Sequence, residues 1–445
     1  MSKGQSRPWA WVPTLYFFEG IPYFLVNVVS VTLFKRLGMD NASLAALTSL
    51  LYLPWVVKPL WSPLVDVFKT KRWWILVMQT AMAVCFVALA FSLPARTGRP
   101  VGAFVPALVL FYIGAMLSST HDIAADGFYM IALDKHDQSL FVGIRSTFYR
   151  ISSVFGQGVI VVVAGLLETR FGNIPRAWSL TLLGSSVLLA LLALWHWKIL
   201  PCQKGPKTSD PPVKNVGGPS KSAENVRAPK TDGSENRSFW GAFATFFRKP
   251  GIGLALAFML LFRLPEAFSV KMLTPFMLDP MADGGLGLTT AQSGLVYGTV
   301  GVIALTIGGI LGGIFAARVG LRKAMWPMAL SLALPCAVYL YMAIAQPAHL
   351  WVIYLCVAFD QFGYGFGFTA YMLYLMHFSD GPYKTSHYAI CTAFMALSMM
   401  VPGFFAGWLQ QSLGYTGFFV LVMICCAATV AVTAILAPRI KETAN

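Results

Sequence analysis

Apolar residues run along this chain in long blocks that short polar stretches separate. A helix of about 20 apolar residues rises about 30 Å, which is the thickness of the hydrocarbon layer of a membrane. The pattern predicts twelve membrane-spanning helices, at approximately 11–34, 43–64, 73–93, 103–133, 139–167, 178–200, 251–278, 291–317, 324–345, 350–377, 385–410 and 415–437. The sequence therefore predicts an all-α membrane protein.

One polar stretch divides the predicted helices six and six. Residues 201–240 are rich in Lys, Pro, Ser, Gly and Asn and are too polar to bury a core, so they are predicted to form a disordered cytoplasmic linker. The predicted units are an N-terminal six-helix bundle over residues 1–200 and a C-terminal six-helix bundle over residues 241–445.

The two predicted bundles also share local sequence. LGMDNASLAAL (37–47) before the second span aligns with LGLTTAQSGLV (286–296) before the eighth, so that Gly38 matches Gly287 and Ala42 matches Ala291. Repeats of this kind build two pseudo-symmetric halves around a central site near the bilayer midplane.

The loops that follow these two spans share a second motif. GGIFAARVGLRKAMW has the spacing of the major facilitator loop G-x-x-x-D-R-x-G-R-K, and SPLVDVFKTKRW is a degenerate copy of it. We interpret these as gating loops that hold cytoplasmic helix ends together; the alternative is that they only anchor the topology by their charge. The residues concerned are Asp66, Lys71, Arg72, Arg318, Arg322 and Lys323.

Charge supports a membrane protein and sets its predicted orientation. Of the 445 residues, 57% are hydrophobic and 11% are charged, whereas ordinary soluble domains carry about 25% charged residues. The net charge of +15 comes from short basic clusters between the spans, which argues against a nucleic-acid-binding face. With both termini in the cytoplasm, the inner loops hold 22 basic residues and the outer loops six, as the positive-inside rule requires.

Four charged residues lie within the fourth and fifth predicted spans, where each needs a partner or a water-filled cavity. Asp122 and Asp126 are four residues apart and therefore share one helix face. Counting outward from the loop DKHD, Asp126 lies at the depth of Arg145 and Asp122 at the depth of Arg150. The sequence predicts these two ion pairs.

Further charges lie in other spans. Glu19 and Lys58 are equally distant from the loop around Gly38, which predicts a third pair. Each pair has a purely structural alternative, because a buried ion pair adds little stability over apolar packing. The other candidates, in the seventh and tenth spans, are the charged residues Arg263, Glu266, Lys271 and Asp360 and the aromatic residues Tyr364 and Tyr371, for which core packing is the alternative.

Several of these segments together resemble one family. LYLPWVVKPLWSPLVDVF, HDIAADGF, GIRSTFYR, LFRLPEAFSVKMLTPFML and SGLVYGTVGVIALTIGGILGGIFAARVG are similar to the corresponding segments of the AmpG-type muropeptide permeases of the major facilitator superfamily. The resemblance implies a proton-coupled symporter that imports anhydromuropeptides from the periplasm during cell-wall recycling. It also implies functional positions at Lys58, Asp122, Asp126, Arg145, Arg263 and Glu266, although His121, Glu19, Tyr129 and Ile131 depart from the family pattern.

We therefore expect an inner-membrane transporter with no cofactor and no bound metal, driven by the proton gradient and acting as a monomer on a small-molecule substrate. Proton coupling is assigned to Asp122, Asp126, Glu19, Glu266 and Asp360, and substrate binding to Lys58, Arg145, Arg150, Arg263, Lys271, Tyr364 and Tyr371. The alternative cargo is another polar or anionic solute, such as a siderophore, a sugar derivative or acetyl-coenzyme A. A membrane enzyme is disfavoured because the sequence has no HExxH, GxSxG or Walker motif, and a sensor because residues 201–240 are too polar to form a soluble domain.

Overall fold

The structure is a computed structural model that describes residues 8–133, 135–201, 239–381 and 383–440, almost entirely as helices. Ten stretches are long and apolar enough to cross a membrane, and the last of them, Ser386–Arg439, is 54 residues long. Such a helix would be about 81 Å long, more than twice the bilayer core, and a non-helical backbone at Gly414 divides it in two. Leu350–Phe378 adds a further helix of 29 residues.

The described residues thus contain twelve helices of membrane-crossing length, as the apolar pattern predicts. We call the first six the N-half and the last six the C-half. In chain order they are α1 (Pro8–Arg36), α2 (Asn41–Leu60), α3 (Lys71–Ser92), α4 (Val101–Ala132), α5 (Gly143–Phe171), α6 (Ile174–Ile199), α7 (Ile252–Leu278), α8 (Thr290–Val319), α9 (Leu321–Ala345), α10 (Leu350–Phe378), α11 (384–413) and α12 (415–436).

Hydrophobic packing is organised separately within the halves. Buried apolar side chains of the N-half form two clusters, around Phe34 and Phe111 and around Trp11 and Phe128. The C-half also contains two, and a single N-half residue, Ala45, joins one of them. The predicted linker lies almost wholly outside the described residues, so its disorder and the predicted bundle boundaries stay predictions.

The sequence repeat appears as the same local structure in both halves. Gly38 and Gly287 each adopt a positive φ, of 93° and 65°, a conformation that glycine adopts without steric cost. Two residues later, Asp40 caps α2 by accepting a hydrogen bond from the Ser43 amide, and Thr289 caps α8 in the same way. The turn and the N-cap before α2 are therefore structurally equivalent to those before α8.

Several helices are irregular where the halves meet. Residues Leu25–Val29 of α1, Phe155–Ile160 of α5 and Gly294–Gly301 of α8 form π-helical turns, which often occur at functional sites. In α7 the helix breaks at Phe262 and restarts at Leu264. Pro265, at the second position of the new segment, accounts for this break, because proline fits best in the first turn of a helix and removes a backbone hydrogen bond farther in.

The π-helical turns of α5 and α8 pack directly against each other. A Cβ atom added to Gly298 would lie 2.0 Å from the carbonyl oxygen of Gln157, and one added to Gly158 would lie 3.1 Å from the carbonyl oxygen of Gly298. Small residues allow such close approach of membrane helices. We call this contact the glycine crossing; it is a backbone-to-backbone junction between the N-half and the C-half.

Candidate functional site

Five charged side chains from α1, α2, α4 and α5 form one group inside the N-half, which we call the N-half charge cluster: Glu19, Lys58, Asp122, Asp126 and Arg145. The structure contains the predicted pair of Asp126 and Arg145, whose Oδ1 and Nη2 atoms are 3.1 Å apart. Tyr16 donates a hydrogen bond of 3.1 Å to the same Asp126 oxygen, and its ring lies 4.6 Å from the Arg145 guanidinium. These contacts hold Arg145 over the interior face of α4.

The second aspartate has a different partner from the one predicted. Asp122 accepts a hydrogen bond from the ammonium of Lys58 and forms an ion pair with it. Glu19, the predicted partner of Lys58, lies against the carboxyl group of Asp122, and its Oε2 atom is buried without a hydrogen-bond partner among the described residues. The prediction that Glu19 pairs with Lys58 is therefore wrong, because both residues converge on Asp122.

The predicted pair of Asp122 and Arg150 is also wrong. Asp122 and Asp126 share a helix face, but Arg145 and Arg150 are five residues apart, which is a rotation of about 140° around a helix. Only one of these arginines can face α4. Arg150 instead reaches α8 in the C-half, where a Cβ atom on Gly309 would lie 3.3 Å from its Nη2 atom, and within the described part of the chain it forms no ion pair.

The N-half charge cluster is accessible to solvent although it lies in the membrane-spanning region. The side chains of Asp126 and Arg145 are 40% and 30% exposed, and those of Asp122 and Lys58 are 20% and 24% exposed. Because charged groups do not face lipid without great cost, this exposure is best explained by a polar space between the helices.

The C-half has one ion pair at its break in α7. Arg263 donates two hydrogen bonds to Glu266, of 2.7 and 2.8 Å, and a third of 3.0 Å to the Tyr364 hydroxyl. Phe368 and Tyr371 flank the guanidinium, at 4.6 and 5.6 Å from their ring centres. The two charged side chains are only 6% and 7% exposed, so aromatic rings enclose this pair.

Lys271 and Asp360 lie apart from both groups. Lys271 is buried, donates a hydrogen bond of 2.9 Å to the Thr48 hydroxyl of the N-half, and has no acidic partner among the described residues. Asp360 is buried in the C-half, where it accepts hydrogen bonds from Tyr339 (2.5 Å) and Gln361 (3.0 Å). The hydroxyl and amide donors give this carboxyl local partners of its own.

Two residues of the predicted gating loops, Lys71 and Arg72, contact their own half. Lys71 is buried and donates to the Val65 carbonyl, and Arg72 donates to the carbonyls of Trp197 and Leu200 at the end of α6. Arg318, Arg322 and Lys323 are exposed. The side chain of Asp66 lies outside the described residues, and the gating role of all six stays a prediction.

A cluster of polar side chains at the C-terminal ends of α1 and α7 joins the two halves, and the sequence pattern did not predict it. Lys35 forms an ion pair of 2.5 Å with Asp279, and Asn41 donates to Asp279, Gln410 and Tyr415. The Tyr415 hydroxyl in turn donates to Asp279, at 2.5 Å. This group is the first part of what we call the latch; the second part, around Glu168, is described next. We call the end of the molecule that carries both parts the latch end.

The second part of the latch centres on Glu168 at the end of α5. Arg36 donates to both of its carboxylate oxygens, with a shortest distance of 2.9 Å. Trp178 and Thr290 each donate a hydrogen bond of 2.7 Å to the same carboxylate. Thr290 belongs to the C-half, so Glu168 also links the halves.

Asp40 adds a weaker link at the latch end. It accepts a hydrogen bond from Gln411 of the C-half at 3.3 Å, in addition to its capping bond from Ser43. Burial raises the pKa of Asp40, but these hydrogen bonds outweigh burial and hold the pKa below its ordinary value. This carboxylate is therefore charged at neutral pH.

A chain of buried polar side chains lies behind the N-half charge cluster. Gln79 contacts His121 at 3.0 Å and His196 at 3.0 Å, and His196 contacts the Thr14 hydroxyl at 3.0 Å. The chain connects α1, α3, α4 and α6 and begins at the residue next to Asp122. Within the described ranges, no group of three His, Cys, Asp or Glu residues is suited to hold a metal ion.

Comparisons with known proteins agree with this fold. Residues 14–379 match the model of the Major Facilitator Superfamily. The chain is similar to the anhydromuropeptide permease of Escherichia coli K12, with 25% identity over 91% of this chain and 74% of that protein. It is also similar to the putative transporter AmpG 4 of Rickettsia conorii, with 22% identity over 91% of both chains. The resemblance to AmpG-type permeases is thereby confirmed.

Solved structures share the fold at lower sequence identity. A D-xylose–proton symporter superposes with a TM-score of 0.70 at 12% identity and covers 98% of both chains. A bacterial homologue of the lysosomal transporter Spinster, in an inward-facing and unoccupied conformation, superposes with a TM-score of 0.67 at 15% identity, over 99% of this chain and 98% of that one. The family match and this fold give the same answer: the chain belongs to the Major Facilitator Superfamily of membrane transporters.

Proposed function

We propose that this protein is a proton-coupled symporter that imports anhydromuropeptides into the cytoplasm by alternating access. The observation that carries the proposal is the composition of the N-half charge cluster. Three carboxyl groups meet two cations there, in a solvent-accessible position within the membrane-spanning region.

Charge counting suggests how such a cluster couples to protons. With all five groups ionised its net charge is −1, and one bound proton makes it neutral. An unbalanced charge is costly away from water, whereas a balanced cluster is not. Protonation would therefore allow the change of conformation that carries the cluster between the two sides of the membrane.

Glu19 and Asp122 are the carboxyls best suited to share that proton. Two carboxylates in contact repel each other, and a proton between them removes the repulsion. Glu19 Oε2 is the buried oxygen that lacks a hydrogen-bond partner. We assign Asp126 to the same titrating group, and Glu266 and Asp360 to proton coupling in the C-half.

The cargo assignment rests on the relatives and on the cations. An E. coli protein that this chain resembles is named anhydromuropeptide permease, and an anionic, sugar-bearing solute of this type needs cations and aromatic rings. We assign Lys58, Arg145, Arg150, Arg263 and Lys271 to its anionic groups, and Tyr364 and Tyr371 to the positioning of Arg263. The protein then needs no cofactor and catalyses no covalent step.

The proposed orientation follows from the distribution of basic residues. Both termini and the predicted linker (201–240) lie in the cytoplasm, so the latch end faces the periplasm of a bacterial inner membrane. The bundles span residues 1–200 and 241–445, and one chain is the transporting unit. A closed latch with a solvent-accessible N-half charge cluster then corresponds to an inward-facing state.

Uptake by proteoliposomes tests the proposal. Labelled anhydromuropeptide should accumulate when the outside is acidified, and a protonophore should abolish accumulation. Glu19→Gln should lose gradient-driven accumulation, while Asp283→Asn, at an exposed loop position, should keep it. Accumulation of a siderophore, a sugar derivative or acetyl-coenzyme A, but not of muropeptide, would overturn the assignment of the cargo. An uptake rate that does not depend on the proton gradient would overturn the assignment of proton coupling.

A further inference from the structure

A small cavity lies between the two halves, at a depth between that of the N-half charge cluster and that of the latch. Residues from α1, α2, α7, α8 and α11 line it, and the polar ones are Asn27, Tyr52, Lys271, Thr274 and Tyr297. Lys271 is only 6% exposed. Eight residues separate it from Asp279, so it lies about 12 Å from the latch along α7.

The cation in this cavity is incompletely satisfied. An ammonium group can donate three hydrogen bonds, but the contacts of Lys271 with described residues are one hydrogen bond to Thr48 and the ring of Tyr52 at 5.7 Å. A buried ammonium without a counter-ion is unfavourable. The positive charge therefore calls for an anion that the protein itself does not supply in its described part.

Unpartnered polar atoms occur around the same lysine. Asn27 lines the cavity, and its Oδ1 atom is buried without a hydrogen-bond partner among the described residues. The Oγ atom of Ser49, next to Thr48 in α2, is likewise buried without one, although Ser49 is not part of the cavity lining. A point at the Cβ position of Gly403 lies 2.7 Å from the Ser49 hydroxyl and 3.2 Å from Lys271 Cε. The Ser49 hydroxyl of the N-half and the end of the Lys271 side chain of the C-half thus lie close to the same point beside Gly403.

We propose that this cavity is a subsite for a single carboxylate of the solute, with Lys271 as its cation. One cation matches one negative charge, and the Ser49 hydroxyl, which has no hydrogen-bond partner among the described residues, would supply a neutral donor. A phosphate would need a second cation, and the described lining contains none. The subsite deepens the proposed function, because it assigns one anionic group of the cargo to a place between the halves.

The position of this subsite links binding to closure of the latch end. Lys271 belongs to the C-half and Thr48 to the N-half, and the latch joins the same helices farther out. A carboxylate bound between them would contact both halves only when the latch is closed. It would therefore favour that state by its differential affinity, which is the only way a ligand can shift a conformational equilibrium.

Thermal unfolding of the purified full-length protein tests the subsite without any transport. The probes are N-acetylalanine and its amide, which differ in the carboxylate alone. The acid should raise the unfolding temperature of the wild type more than the amide does. This difference should vanish in Lys271→Gln and persist in Lys198→Gln, which removes an exposed lysine. An equal effect of both probes on the wild type, or an acid-selective effect that survives in Lys271→Gln, would overturn the subsite.

Uptake kinetics provide the second readout. Loss of a hydrogen bond to a charged group costs a factor of about 10 to 100 in affinity, so Lys271→Gln should raise the KM for free-acid muropeptide by that factor. The KM for a carboxyl-amidated muropeptide should not change. Thr48→Val, which removes only the lysine's neutral partner, should retain the preference for the acid. Acid-selective thermal stabilisation without muropeptide uptake would overturn the proposed function and leave the subsite standing; an unchanged KM ratio in Lys271→Gln would overturn the subsite alone.

Discussion

The N-half charge cluster and the pair of Arg263 and Glu266 are both made of charged residues within membrane-spanning helices, but they differ in balance and in access. The first has three carboxyls against two cations and side chains up to 40% exposed. The second has one of each, joined by two hydrogen bonds and enclosed by aromatic rings at 6% and 7% exposure. An open, unbalanced cluster can exchange a proton with water, whereas the closed, balanced pair is shielded from water in this state.

The largest expected effect comes from breaking the closed pair. Glu266→Gln leaves the Arg263 guanidinium buried without its counter-ion, which costs about 3–5 kcal/mol of unfolding free energy. Thermal unfolding in detergent measures this cost. The double variant Arg263→Gln, Glu266→Gln removes both charges and should recover most of the stability. Equal stability of the single and double variants would show that the pair is not electrostatically coupled.

Asp122→Asn breaks the open cluster at its centre. It removes the carboxylate that faces Lys58 and Glu19, and it should lower gradient-driven uptake about a hundredfold, a typical cost of losing a proton-transfer group. Exchange of labelled for unlabelled solute across the membrane should persist, because it needs no net proton movement. Parallel losses of accumulation and exchange would instead assign Asp122 to substrate binding.

Asp279→Asn tests whether the latch prevents water from reaching the N-half charge cluster from the latch end. The change removes the counter-ion of Lys35 and weakens the acceptor of Tyr415, so the closed state should lose about tenfold in population. Ser49→Cys, buried beneath the latch, should then react faster with a membrane-impermeant maleimide added at the latch end. The same cysteine with an intact latch is the control, and unchanged labelling would contradict a gating role.

The smallest effect is expected at the exposed edge of the open cluster. The ion pair of Asp126 and Arg145 is partly solvated, so Asp126→Asn should change the unfolding free energy by less than about 1 kcal/mol. This result would contrast directly with Glu266→Gln. A loss as large as that of the closed pair would mean that the two regions do not differ in the way their exposure indicates.

The apolar pattern predicted the helices well because length and hydropathy are properties of one segment at a time. Depth along a helix was likewise readable from sequence, and it correctly matched Asp126 with Arg145. Depth alone could not choose between partners on different faces, which is why Arg150 was paired wrongly. Lys58 and Glu19 were paired wrongly because their convergence on Asp122 depends on how α1, α2 and α4 pack together.

The latch was missed for a different reason. Its residues are ordinary polar residues at helix ends, and Asn41 and Asp279 are 238 positions apart. Nothing in either segment marks them as partners. The one available signal was the repeat itself, since Lys35 and Asn41 flank the turn at Gly38 that the structure shows to be equivalent to the turn at Gly287.

The glycine crossing limits how the halves can move. Because backbone meets backbone between Gly158 and Gly298, the halves cannot approach further there. We expect them to rotate about this point, a motion that must also separate the close contact of Gly165 with Ala291. The end of α5 lies 13 residues beyond Gly158, a lever arm of about 20 Å. A turn of about 15°, the size of a known subunit rotation, displaces its tip by about 5 Å, which is enough to break the hydrogen bond between Glu168 and Thr290. A fulcrum without side chains would thus let a modest rotation separate Glu168 from the C-half.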